Sequence, residues 1–159
     1  MTRVEVLGTG PEILSKGIRA IGPVIEEMIL DAQAEIQMLA YVLTPQAFHI
    51  LDLVSAAAER EVRVTMVVNS LQSQAVAVRT RLESLGEGKP QVRILNFRGR
   101  DGSHLHAKII VVDRKKALVG SANLSWGGFY GNYEIALFVE GELAWELAQV
   151  VDALASASQ

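Results

Sequence analysis

Two hydrophobic periods alternate through the first hundred residues, and that alternation most restricts the folds open to this chain. Val24, Ile25, Met28 and Ile29 recur at helical spacing after Gly22-Pro23 and carry a helix to about Ala34. Pro23 suits a first helical turn, where its missing N–H costs nothing. Glu35 to Val42 (EIQMLAYV) then reads as a strand. Thr44-Pro45 reads as an N-cap and first helical residue, opening a helix to about Arg60 with Phe48, Leu51, Val54 and Ala58 inward. Val62 to Val68 (VRVTMVV) is a β-branched run of the kind that fills a buried strand. A helix over Gln72 to Leu85 stops at Gly86-Glu87-Gly88, and Gln91 to Phe97 is a further short strand. Helix and strand in alternation favour a mostly parallel sheet covered by helices.

The pattern changes at His104. His104 to Val112, Ala117 to Val119 and Tyr133 to Val139 are strands joined by short turns, with Lys115 and Lys116 in one of those turns. A closing helix from Leu143 to Leu154 carries Trp145, Leu147, Val150, Val151 and Leu154. The expected architecture is α/β: a mixed, mostly parallel sheet flanked by helices on both faces, in one domain spanning residues 1–159. That length suits a single core.

Composition removes several classes of function. Half of the residues are hydrophobic, before 13 glycines are added, so the chain can bury ample apolar surface and is not disordered. Without Cys there is no disulfide, thiolate metal site or thiol nucleophile. No window resembles a membrane span or a signal-peptide core. These features lead us to expect a soluble, cytoplasmic domain with apolar surface to spare for a partner. The net charge of −3 is uneven: residues 61–116 hold eleven basic against five acidic side chains, a local +6, while the remainder sums to −9. A basic middle on an acidic body either focuses an anionic substrate or reflects solvated helix faces.

Two of the three histidines lie in SHLHAKIIVVDRKKALVGSANLSWGGFYGNYEIALFV. In an extended segment His104, His106 and Lys108 share one face, while Leu105, Ala107 and Ile109 pack beneath. An imidazole can attack phosphorus while an ammonium two residues away neutralises the non-bridging oxygens. Gly120 permits close backbone approach, and Ser121 and Asn123 offer hydrogen bonds to phosphate or to the ring. Asn132 and Glu134 flank Tyr133, and a carboxylate there can fix an imidazole tautomer. No spacing of ligands suggests a metal, and no glycine loop suggests a nucleotide cofactor, so neither is expected.

His106-x-Lys108-x4-Asp113-x6-Gly120-Ser121-x-Asn123 resembles the HKD motif of the phospholipase D superfamily. At ordinary residue frequencies such a pattern arises by chance in on the order of one chain per million of this length. The upstream alternation and Asn132-x-Glu134 resemble the compact single-motif members, so the likeness covers most of the chain. The resemblance implies a phosphohistidine intermediate, a second HKD histidine as leaving-group acid, and no metal. It further implies His106 as nucleophile or acid, with Lys108, Ser121 and Asn123 on phosphate oxygens. Glu134 would orient the histidine, and Asp113 would anchor a turn.

A displacement at phosphorus needs a nucleophile on one side and an acid on the other, yet the chain carries one HxK, because His49 is followed by Ile50 and Leu51. A two-fold homodimer would supply the second histidine and use the spare apolar surface. Several residues remain open. His104 is a substrate contact or a rim or core histidine, and His49 is structural. Arg98 and Arg100 either steer phosphate or are simply solvated. Trp126, Phe129 and Tyr130 either stack a base or pack on one another. Three functions follow: a nuclease with DNA as the first expectation, a phospholipase or phosphatidyltransferase, and a dimeric binding or assembly module. The stretch from Pro23 to Gln74, with IEEMILDAQAEI, AYVLTP and VNSLQSQ, also resembles PLD-like accessory proteins of bacterial anti-phage defence systems. That likeness implies helicase or methyltransferase partners.

Overall fold

A computed structural model describes residues Met1–Gln159. Its centre is one eight-stranded sheet, built from β1 (Arg3–Thr9), β2 (Arg19–Ala20), β3 (Glu35–Ala40), β4 (Arg63–Asn69), β5 (Val92–Phe97), β6 (Ile109–Val112), β7 (Lys116–Gly120) and β8 (Glu134–Glu140). The strand order is β2-β1-β8-β7-β6-β3-β4-β5. Parallel pairing joins β3, β4 and β5, the alternating segment of the sequence, and also β1 with β2. The other four pairings are antiparallel, because short turns link β6 to β7 and return the chain along β8. The sheet is mixed with helices on both faces, as the sequence leads us to expect, but it is not mostly parallel, since four of its seven pairings are antiparallel.

The two faces are covered unequally. The short α1 (Pro11–Leu14) sits with Ile13 over Gly8 on one face, and the other carries α2 (Ile21–Asp31), α3 (Phe48–Glu59) and α4 (Val76–Gly86). The larger core sits there, with Ile21, Val24, Ile25, Met28, Ile50, Leu51, Val54, Val78 and Leu82 of the last three against Ile36, Met38, Val64 and Met66 of the strands. The face of α1 has otherwise only α5 (Glu142–Ser156), which packs on Leu39, Val67, Val111 and Val139. Arg114, in the β6–β7 turn, clamps α5 with a two-pronged contact to Asp152 at 2.7 and 3.0 Å and also holds Glu35. Both Asp113 and Arg114 have positive φ (53° and 56°), the backbone that tight hairpin turns favour.

Four local expectations need correction. Residues 1–20, where no clear element is legible, supply β1, which pairs with β8 over its whole length. The extended run from His104 pairs as a strand only from Ile109. Before that, the Leu105 N–H donates to Asn69 Oδ1 at 2.8 Å, so a side chain rather than a strand satisfies the backbone. Thr44 does not cap its helix; Pro45–Ala47 forms a 3-10 turn before α3, and Thr44 Oγ1 instead accepts the Trp126 N–H at 3.2 Å. On α5 the buried face is Ala144, Ala148, Val151 and Ala155, with Leu147 and Leu154 half-buried beside it, while Trp145 and Val150 turn outward, about half exposed.

Candidate active site

The sheet topology gathers the motif residues other than Asp113 at one end of the central strands. β3 and β4 end there with Tyr41 and Asn69, β6 begins there after Lys108, β7 ends there at Ser121, and β8 begins there with Glu134. Strand ends of open α/β sheets are where side chains from separate segments can converge without breaking a ladder.

His106 and Lys108 meet directly. Lys108 Nζ lies 2.8 Å from His106 Nδ1 and donates to the His106 carbonyl at 2.7 Å. The Tyr41 ring closes one side, with its centroid 4.3 Å from that of His106 at an interplanar angle of 43°. Lys108 Nζ stands 5.2 Å from the Tyr41 centroid, within cation–π range. His104 meets the same tyrosine edge-on at 6.1 Å, so both histidines border one aromatic wall. Burial pushes the Lys108 ammonium below the usual lysine range, and the Glu134 carboxylate opposes that shift. Tyr41, Lys108 and Asn123 line a cleft of about 20 Å³.

Glu134 is held by Ser121 Oγ, which donates to it, and by Asn132 Nδ2 at 3.2 Å. No hydrogen bond joins Glu134 to His106; the imidazole nitrogen that a carboxylate would orient faces Lys108 instead. The Ile135 N–H donates to Ser121 Oγ at 3.1 Å and fixes the hydroxyl. Gly120 makes this approach of β7 to β8 feasible: a Cβ there would stand 2.5 Å from Ile135 O and 2.6 Å from Ala136 Cα. Asn123 Oδ1 is buried without a protein partner.

Asp113 sits at the other end of β6 and touches none of these groups. Its carboxylate accepts the N–H groups of Gln33, Ala34 and Glu35 at 2.9, 2.7 and 2.9 Å, binding the hairpin turn to the start of β3. Burial alone would raise this carboxyl, but those donors and Lys115 outweigh it and hold it below the usual aspartate range. Arg98 and Arg100 are exposed in the loop running from β5 to His104. No hydrogen bond links them to His106 or Lys108. His49 lies apart on α3, bonded to the Gln46 carbonyl and paired with Glu26 at 3.2 Å.

Three site residues escape a reading of the sequence: Tyr41, Asn69 and Gln74. Gln74 is 7% exposed; it accepts the Leu43 N–H and donates to the carbonyls of Tyr41 and Asn69 at 2.8 and 3.0 Å. Asn69, 5% exposed, in turn holds Leu105. This buried chain of amides sets the Tyr41 wall against the His106 segment. The sequence cue was polar residues closing strands and the following turn in AYVLTP and VNSLQSQ.

Comparisons with known proteins bear on the family and the fold. The family model for the "Cardiolipin synthase, PLD-like domain" matches residues 25–157. DISARM protein DrmC of Bacillus paralicheniformis is 33% identical over 141 residues, which is 87% of this chain and 58% of that protein. The chain thus spans little more than half the length of that relative. The fold is similar to that of NucT from Helicobacter pylori, with TM-score 0.80, 16% identity, and coverage of 99% of this chain and 98% of the other. It also resembles Nuc from Salmonella typhimurium, a phospholipase D family member, with TM-score 0.76, 22% identity, and coverage of 100% and 97%. With His106 and Lys108 brought together at the strand ends and a family model matched over most of its length, the chain belongs to the phospholipase D-like family.

Proposed function

We propose that the protein is a metal-independent nuclease, with DNA as its first substrate, acting through a phosphohistidine at the axis of a homodimer. The observation that carries this reading is the contact between His106 and Lys108 at the ends of the central strands, beside Ser121, Asn123 and Glu134. A phosphodiester arriving there draws the Lys108 ammonium from Nδ1 of the imidazole onto a non-bridging oxygen, and the other ring nitrogen, Nε2, attacks phosphorus. The N–P bond forms as the P–O bond to the leaving strand breaks, and His106 of the partner subunit gives its proton to that oxygen. The same partner imidazole then takes a proton from water, whose oxygen displaces His106 from phosphorus. Ser121, turning its O–H away from Glu134, and Asn123 hold phosphate oxygens, while Glu134 stabilises the charged groups. Asp113 and Gly120 keep the hairpin and the β7–β8 contact in place. His104, Asn132, Arg98 and Arg100 are assigned to the rim that receives the strand.

The uncovered part of the sheet supports the dimer. On the α5 face Val4 and Val6 of β1 lie beside Ile135 and Leu137 of β8, all 39–52% exposed, and Trp145 of α5 is 49% exposed. Apolar surface of this kind on an open sheet face suits a second copy, and it adjoins the strand ends that hold His106. A lipid reading draws support from the cardiolipin synthase description of the matching family, and the likeness to DrmC supports a role beside anti-phage defence partners. No helix is long and apolar enough to cross a membrane.

One panel separates these readings. Plasmid, single-stranded DNA, RNA and phosphatidylcholine are incubated with the protein in EDTA, at rising salt. Nucleic acid is expected to be cut, less so as salt screens its phosphates. His106→Ala and Lys108→Ala should each lose at least about a thousandfold in rate. Turnover that requires magnesium, or turnover of lipid alone, would overturn the proposal.

A further inference from the structure

A π-helical turn, Gly127–Gly131, follows the motif, with Trp126 before it and Tyr130 within it. The turn divides its aromatics. Phe129 is buried at 8% exposure and enters the main core, whereas Trp126 and Tyr130 are 56% and 65% exposed. These exposed rings ride on a fixed base. Thr9 Oγ1 donates to the Gly128 carbonyl at 2.7 Å in a buried bond, and the Gly128 N–H donates to Ser125 Oγ at 3.0 Å. Trp126 is further held through its N–H on Thr44 Oγ1. Glycines form the seats: a Cβ on Gly131 would fall 2.0 Å from the Trp126 ring, which therefore lies against bare backbone.

This base is continuous with the candidate site. A Cβ on Gly128 would fall 2.0 Å from the Asn123 carbonyl, and one on Gly127 would fall 2.9 Å from Asn132 Nδ2, the amide that bonds Glu134. The aromatic pair thus adjoins the residues assigned to phosphate. The strand ends they border carry His104, His106 and Lys108, and β5 ends there just before Arg98 and Arg100. Exposed rings that are held in place, set beside a cationic phosphate site, match what an unpaired nucleotide strand requires: charge for the backbone and flat apolar faces for the bases. In a duplex those base faces are already stacked on each other.

Resting on the nuclease reading, we infer that Trp126 and Tyr130 form a stacking platform for unpaired bases, which selects single strands over duplex. The test uses the full chain carrying His106→Ala, which prevents cleavage, with a short oligothymidylate and the same strand paired to oligoadenylate. Single strands are expected to quench tryptophan fluorescence, and Trp126→Phe, which keeps a ring but removes the indole, should abolish that quench. Trp126→Ala should weaken oligothymidylate binding roughly tenfold or more, with Trp126→Phe close to the parent protein and duplex binding little affected. Tyr130→Ala, on a side chain whose ring contact is Phe129 alone, gives a second reading should Trp126→Ala disturb the turn. Equal oligothymidylate affinity in the parent, Trp126→Ala and Tyr130→Ala proteins would overturn the platform, as would equal losses on duplex. Cleavage of DNA by the unsubstituted protein is scored separately, so failure of the platform is distinguishable from failure of the nuclease reading.

Discussion

Lys108 is placed under two opposed influences, and their balance sets how it can serve. Burial lowers its pKa, while the charge on Glu134 raises it. Gripping phosphate requires the ammonium, so the alkaline limb of kcat/KM should fall below the usual lysine range. Replacing Glu134 by Gln removes the charge that favours the ammonium, so Lys108 should lose its proton at lower pH. The expected outcome is an alkaline limb shifted to lower pH in Glu134→Gln, measured as kcat/KM against pH on a soluble diester. A limb that stays put while the rate falls would mean that Glu134 acts on His106 or Ser121 and not through Lys108. Asp113 illustrates the contrasting case of a motif residue whose three acceptor contacts all go to backbone.

At the scale of elements, α5 determines how closely a helix can lie on the thinner face. Its buried positions are three alanines and one valine, Ala144, Ala148, Val151 and Ala155, and they seat the helix on Leu39, Val67, Val111 and Val139. Small side chains permit a close approach that larger ones would prevent. Ala148→Leu should therefore destabilise the fold by about 1–3 kcal/mol through overpacking, read as a lower urea midpoint at unchanged slope. Were the bulky Trp145 side the buried one, the same substitution would be neutral or stabilising. The clamp from Arg114 to Asp152 fixes the helix along its length, and the aspartate is held below its usual range chiefly by that guanidinium.

Across the whole molecule, unequal coverage of the sheet links stability to function. One face is closed by helices, and the other leaves the β1–β8 strip open. If two copies close that strip and each supplies one imidazole, activity belongs to the pair. Co-refolding the unsubstituted chain with His106→Ala should then give activity that follows the square of the unsubstituted fraction. An equal mixture would retain about one quarter of the activity, against about half for independent chains. A linear dependence, or an active species that sediments as a monomer, would remove the composite site from the mechanism.

The linear sequence determined what local chemistry and periodicity can encode. The alternation to Phe97 is written in side-chain spacing, and so are β3, β4, β5 and the helices between them. His106, Lys108, Gly120, Ser121, Asn123 and Glu134 stand out because phosphate chemistry demands those residue types within one short stretch. Tertiary structure alone decided the rest. Tyr41, Asn69 and Gln74 act through partners distant in sequence, Asn69 reaching Leu105 and Tyr41 reaching His106, so no spacing could reveal them. β1 carries a half-exposed valine pair that gains its meaning only beside β8. The inward face of α5 followed from fit and not from hydrophobicity, because the space above a packed sheet, and not the size of the available side chain, selects which residues can enter it.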